Sequence, residues 1–214
     1  DVTVWRDGFE YTLRFERGEI VGELEKRPLP KNQGKKTGTR TRWLPDLDVF
    51  TDISIPAEYF AEICKRQAVV NAGLTFRLLD ETAPGEFSET VFVYENGIAD
   101  YVAELAGEES LTAPVFWQAE KTGRDRADKP DYKVKLSVAC CFSNKLSLAE
   151  YYHNSSWLEH GGSPEKASRS AFVSAVDKYL REQGKYQKNE SKVTWADVED
   201  CLVLVSSSFS TQTS

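Results

Sequence analysis

The densest run of side chains able to do chemistry lies between Lys31 and Arg42, where Lys31, Lys35, Lys36, Arg40 and Arg42 occur with no acidic residue among them. Cations at that density attract phosphate. A solvated strand face with a flexible loop accounts for the same residues equally well. Within the run, Gly34-Lys35-Lys36-Thr37 looks like the end of a phosphate-binding loop, but that motif needs a glycine where Leu29 stands and a helix afterwards, and neither is offered. A second, weaker basic excess comprises Lys178, Arg181, Lys185, Lys188 and Lys192, set against Asp177, Glu182 and Glu190. His153 and His160 accompany no serine or cysteine in an elbow sequence, so they read as ordinary loop histidines. Carboxylates are plentiful, yet no pair stands out for acid–base work. Cys64, Cys140, Cys141 and Cys201 form no C-x-x-C pair, and adjacent Cys140 and Cys141 on a strand would point to opposite faces. No metal site is expected, and a reduced cytoplasmic protein is the simple reading.

The elements that must position these groups belong to a chain of 214 residues, enough for one large domain or two small ones. The formal net charge of -7 disfavours a protein that coats nucleic acid indiscriminately, while leaving room for a local basic patch. No apolar run approaches a membrane span. The sequence begins at Asp1 and contains no methionine, which reads as a piece of something longer.

Alternating runs at Val2–Trp5 and Tyr11–Phe15 flank Arg6-Asp7-Gly8 and predict a hairpin. Gly18–Lys26 and Thr39–Trp43 add strands, so residues 1–46 form a small antiparallel unit that is marginal alone. Phe60, Ile63 and Val70 mark a helix over Pro56–Asn71 closed by Gly73. Leu74–Asp80 and Thr90–Tyr94 read as strands around a turn-rich Glu81–Ser88. Asn96-Gly97 opens a short helix with Ile98, Tyr101, Val102 and Leu105 inward. Val115–Lys121 and Tyr132–Cys141 form a hairpin. After Gly161-Gly162, Ser163 serves as a cap, Pro164 and Glu165 suit a first turn, and Phe172, Val176 and Leu180 (with Ala175 and Tyr179 beside them) write an apolar stripe ended by Gly184. Thr194 and Asp197 cap a brief helix, and apolar Cys201–Val205 reads as a central strand. The uneven alternation of strands and helices predicts an α+β protein.

Taken in order, several segments resemble one family. KTGTRTRWLPDLDVFTD (Lys36–Asp52) resembles the K-T-G-T-x-x-x-F-W-P-D segment of the B subunit of bacterial DNA gyrase and topoisomerase IV, and Ala61–Glu81 looks like the helix and strand that follow it there. Asn154, Gly161-Gly162 and Arg169-Ser170-Ala171 are similar to that family's asparagine, Gly-Gly-Thr-His and Phe-Arg-Ser-Ala elements. Phe209–Thr213 looks like the loop ending in Gln-Thr-Lys. The chain departs from the pattern at Ser163-Pro164, where the family has Thr-His, and at Ser214, where it has the lysine.

The resemblance implies the last antiparallel strands of a Bergerat-type (GHKL) ATPase sheet over residues 1–50. A transducer domain with a ribosomal-protein-like left-handed βαβ unit would follow over 51–214. It implies ATP and Mg²⁺ as cofactors of the full-length protein, with neither held well by this segment. Arg6, Thr39, Gln212 and Thr213 would be nucleotide-binding, and no catalytic residue would lie within the 214. Lys178, Arg181, Lys185, Lys188 and Lys192 would face DNA, and the partners would be DNA, a topoisomerase A subunit and a second B subunit, with no membrane. Against that pattern, Ser214 means either that this protein has lost the sensing lysine or that the lysine lies just beyond Ser214; the second is preferred, because losing it would uncouple the transducer from ATP. The rival readings are a non-catalytic nucleic-acid-binding module of ribosomal-protein-like βαβ fold, and a chaperone or mismatch-repair protein sharing the ATPase fold.

Overall fold

The computed structural model describes residues 1–124 and 127–211. Its internal contacts divide the chain into Asp1–Ile55 and Pro56–Ser214.

The first unit is a four-stranded antiparallel sheet of β1 (Val2–Arg6), β2 (Phe9–Glu16), β3 (Glu19–Pro28) and β4 (Gly38–Thr41), in the order β3-β2-β1-β4. Asp7 and Gly8 turn the first hairpin with φ of 52° and 79°, the two left-handed residues a tight turn requires. One 3₁₀ turn, Lys31–Gln33, carries the chain from β3 toward β4. The expected strand over Thr39–Trp43 is shorter than its sequence pattern, ending at Thr41.

In the second unit, a five-stranded sheet is covered on both faces. Its strands are β7 (Val115–Gly123), β8 (Tyr132–Phe142), β9 (Leu148–His153), β10 (Ser156–Trp157) and β11 (Leu202–Ser210), in the order β10-β9-β11-β8-β7. Beside it, β5 (Phe76–Ala83) and β6 (Glu86–Phe92) pair only with each other. The helices are α1 (Ala57–Val70), α2 (Ile98–Ala106), α3 (Gly162–Glu182) and α4 (Trp195–Glu199). Ala139 and Cys141 of β8, Tyr152 of β9 and Val203 and Val205 of β11 pack with α1 and α2. Cys140, Tyr151, Leu202 and Leu204 pack on the other side, against Phe172, Val173 and Val176 of α3 and Val198 of α4. Alternate residues of one strand thus enter different cores, and Cys140 and Cys141 do point apart.

β11 is central, and its apolar run Leu202–Val205 is buried on both faces, as its sequence predicts, while Phe209 near the other end is half exposed. It runs parallel to β9, with α3 and α4 in the connection, which makes a βαβ unit. The α+β class holds.

Several details differ from the expectation. Glu81–Ser88 is mostly strand, since Pro84-Gly85 alone suffices to reverse the chain. The deepest residues of α1 are Ala68 and Val69, while Ile63 stays 39% exposed, because only the last turns of that helix reach the sheet. Gly97 fits there by its φ of 58°, and an added Cβ would stand 3.0 Å from the Val69 carbonyl oxygen. Ser163 does not cap α3. The helix starts from Gly161 and Gly162, with φ of 65° and 69°, so Ser163 already lies within the first turn. The Glu165 side chain folds back over Gly161 and pairs with Arg169. Ala175 and Tyr179 are exposed, because the buried stripe runs through Phe172, Val173 and Val176.

Candidate functional site

In the first unit, β1 and β4 pair Val4 with Thr39 and Thr3 with Arg40. Directly paired residues share a face, as do residues two apart on one strand. Thr39 and Arg6 therefore lie on the same face, while Trp5, Arg40 and Arg42 belong to the other. Arg6 is exposed and pairs with its neighbour Asp7 at 3.3 Å. A hydroxyl and a guanidinium on one face suit a single rim of a nucleotide site. Among the described residues no three His, Cys, Asp or Glu side chains lie together to hold a metal.

In the second unit, the end of β11 is fastened to the turn after β9. The Asn154 backbone N–H donates to the Ser208 carbonyl at 2.9 Å. Its side chain accepts from the Ser210 N–H at 2.9 Å and donates to the Ser210 carbonyl at 3.3 Å. Asn154 reaches this geometry with φ of 48°, which asparagine tolerates better than most residues. His153 closes β9 rather than lying in a loop, and its Nδ1 is 2.9 Å from the Ser208 hydroxyl. That hydroxyl also reaches the Tyr152 carbonyl at 3.1 Å. The strand leading to Thr211 is thus held by side chains as well as by its ladder. Gln212 and Thr213 lie outside the described residues.

On the α1–α2 side, Glu150 of β9 accepts from the Tyr152 hydroxyl at 2.8 Å and the Tyr101 hydroxyl at 3.4 Å. Glu104 accepts from Tyr94 at 2.8 Å and Lys65 at 3.0 Å. Lys65, Tyr101, Glu150 and Tyr152 border a notch of about 180 Å³ between α1, α2 and β9. Burial above all, then the Glu150 charge, pushes the Tyr101 hydroxyl up to about 12, and Tyr152 higher. Such hydroxyls act as fixed donors at neutral pH, and the arrangement braces β9 against the helices. Burial also raises the Cys140, Cys141 and Cys201 thiols, which therefore stay protonated and are poor nucleophiles at neutral pH.

The second basic excess occupies the end of α3 and the loop beyond it. Arg181 pairs with Asp177 at 3.1 Å and Lys178 with Glu182 at 3.8 Å, both one helical turn apart. Lys185, Lys188 and Lys192 form no salt bridge among the described residues, though the Lys192 charge helps lower the Asp177 carboxyl. The loop carrying them is folded back by Tyr186, whose hydroxyl donates to Asp177 at 2.8 Å and accepts from the Val193 N–H at 3.0 Å. That hydroxyl, more than Arg181, holds the Asp177 carboxyl below its usual range. Sequence reasoning passed over Tyr186, Glu150 and the Asn154 clip. The one available signal was Asn154 itself, an asparagine between a strand and a Gly-Gly turn.

The sequence model of the family described as DNA gyrase B matches residues 97–214. The DNA gyrase B subunit of Synechocystis is 27% identical over 203 residues, which cover 94% of this chain and 18% of that protein. The DNA topoisomerase 4 B subunit of Enterococcus faecalis is 31% identical over 207 residues, 96% of this chain and 28% of that protein. The fold is similar to the 43K ATPase domain of Thermus thermophilus gyrase B, solved with an aminocoumarin, with a TM-score of 0.67 at 24% identity. It is also similar to the ATP-binding domain of Francisella tularensis topoisomerase IV, with a TM-score of 0.68 at 20% identity. Each alignment covers 97% of this chain and 54% or 53% of the solved one. The chain therefore spans about a fifth to a quarter of these relatives and half of the solved structures. With the family's sequence model matched from Gly97 onward and its fold shared over nearly the whole chain, this protein belongs to the DNA gyrase B family.

Proposed function

We propose that these 214 residues are the part of an ATP-dependent type II DNA topoisomerase B subunit that couples nucleotide state to passage of a DNA duplex. Residues 1–50 supply the last strands of the ATPase domain, and 51–214 form the transducer. ATP and Mg²⁺ serve the whole subunit, with Thr39 and Arg6 on one rim of the nucleotide pocket. A topoisomerase A subunit, a second B subunit and DNA complete the assembly. The end of α3 and its loop, with Lys178, Arg181, Lys185, Lys188 and Lys192, faces the moving duplex through charge, without reading sequence.

The observation that carries this reading is β11. A strand whose first half is buried on both faces, and whose last residue is clipped by Asn154, leads directly into Thr211-Gln212-Thr213. Movement of a loop there is transmitted to a rigid core rather than absorbed by a soft terminus. In a complete subunit, Asn154→Ala is expected to lower DNA-stimulated ATP turnover several-fold while nucleotide binding stays intact. Unchanged turnover with and without DNA would remove β11 from the coupling path. The 214-residue chain alone releases no phosphate from ATP, since the helices bearing the family's catalytic groups are not among these residues. Turnover surviving Arg6→Ala and repeated purification would overturn the assignment.

A further inference from the structure

Every described arginine except two has a carboxylate at salt-bridge distance. Arg6, Arg14, Arg17 and Arg27 in the first unit pair with Asp7, Glu16, Asp46 or Asp48, and Glu25. Arg66, Arg77, Arg124, Arg169 and Arg181 in the second pair with Glu62, Glu89, Asp131, Glu165 and Asp177. The exceptions are Arg40, on β4, and Arg42, just after it. In a chain of net charge -7, carboxylates are not scarce. β4 is the outer strand of its sheet, so this side is bordered by no further strand among the described residues. On the same face, the Lys36 ammonium sits 3.7 Å from the Trp5 ring centroid and the Arg40 guanidinium 5.9 Å from it. Glu10 beside Trp5 is engaged by the indole N–H at 2.7 Å. Lys31 and Lys35, in and after the 3₁₀ turn, add charge without an acidic neighbour in sequence.

We infer that Lys36 and Arg40, over the Trp5 ring, together with Arg42 two residues on, form a second contact strip for the sugar–phosphate backbone of duplex DNA. Geometry favours a polymer over a point anion. Arg40 and Arg42 are two apart along an extended segment, the Arg42 N–H still bonding to the Asp1 carbonyl, so their Cα atoms are separated by about 6.8 Å, close to two steps of the roughly 3.4 Å axial spacing of phosphates along one DNA strand. Cation–π contact with Trp5 holds Lys36 in place, which lowers the ordering cost of a contact. The strip lies on the opposite face of β4 from Thr39, so DNA there leaves the nucleotide rim free. The inference rests on the proposed function only for the choice of DNA as the polyanion.

The test uses the 214-residue chain and a fluorescein-labelled duplex of mixed sequence, with affinity followed by anisotropy from 50 to 200 mM KCl. Replacing Lys36, Arg40 and Arg42 together by Gln should flatten the slope of log K against log [KCl] by about 2.7, at about 0.9 per lost phosphate contact. The ratio of parent to variant affinity then shrinks roughly 40-fold across that range. The charge-conserving set, Lys36→Arg, Arg40→Lys and Arg42→Lys, should keep the parent slope. The inference is overturned if the chain does not bind the duplex at 50 mM, if the Gln variant keeps the parent slope, or if the charge-conserving variant loses as much. Displacement of the duplex by millimolar inorganic phosphate would assign the strip to a point anion and also overturn it. So would loss of binding to phosphatidylserine vesicles with DNA binding intact. A companion with Lys185, Lys188 and Lys192 changed to Gln separates the readings, since failure of the α3 surface leaves that variant's slope unchanged while the β4 variant still loses its own.

Discussion

The two principal sheets obey the same alternation rule and reach opposite outcomes. Along β3 every residue is exposed, and Ile20 and Leu24 each retain 60% of their surface. Along β11, Leu202, Val203, Leu204 and Val205 retain 1% or less. Helices over both faces of the five-stranded sheet make each side chain of Leu202–Ser206 in its central strand a core residue. The four-stranded sheet of Asp1–Ile55 has no helix of its own longer than a 3₁₀ turn. A strand's stability contribution is therefore set by the layers around it, not by its own apolar content. The exposed sheet is also where the unpaired arginines lie, since a solvated edge tolerates charge that a covered strand would reject.

The comparison can be broken most directly by truncating one leucine in each sheet. Leu204→Ala should destabilise the second unit by about 2–5 kcal/mol, whereas Leu24→Ala should change stability by no more than about 0.5 kcal/mol. Urea denaturation of each variant measures both, and similar losses would contradict the difference in layering. The alkaline limb is next in size. Tyr101 and Tyr151, both in the covered unit, are pushed by burial to about 12 from an ordinary value of 10.0. Between those values the unfolded chain has released protons the folded one still holds, so stability present below pH 10 should fall as pH rises toward 12. Tyr101→Phe should make the denaturation midpoint less sensitive to pH in that window.

The strand end should respond more mildly. Asn154→Ala removes two side-chain hydrogen bonds to Ser210, at a cost of about 1–2 kcal/mol. Exchange of the Ser210 amide, followed by NMR, should accelerate about tenfold or more while that of Leu204 changes little. At the α3 loop, Tyr186→Phe takes away the main donor to Asp177, so that carboxyl should titrate higher. The support it lends is present above the ordinary carboxyl range and is lost as pH falls through the lowered folded value; NMR titration of Asp177 reads the change. The smallest effect is expected at Tyr151, whose buried hydroxyl has no hydrogen-bond partner among the described residues. Tyr151→Phe should be neutral or slightly stabilising, while Tyr152→Phe, which breaks the contact to Glu150, should destabilise.

Local chemistry determined much of this protein from the sequence alone. The first hairpin followed from its Asp-Gly turn, α2 from Gly97 and an inward stripe, and α4 from Thr194 with Asp197. β11 followed from an apolar run too dense for a solvated strand. Family membership, too, was legible in short collinear motifs. What the sequence left open depends on partners distant in the chain. β9, written Leu-Ala-Glu-Tyr-Tyr-His, has no clean alternation, and only its place beside β11 makes Tyr151 and Tyr152 core residues on opposite faces. The buried face of α1 was misjudged because Phe60 and Ile63 are more apolar than Ala68, yet only the latter's turn meets the sheet. Asn154 and Ser210 stand 56 residues apart, and no spacing rule joins them. The cations of β4 were readable as a cluster, but which arginines would find a carboxylate was not. That depends on where the fold carries each acid, and tertiary structure alone decides it.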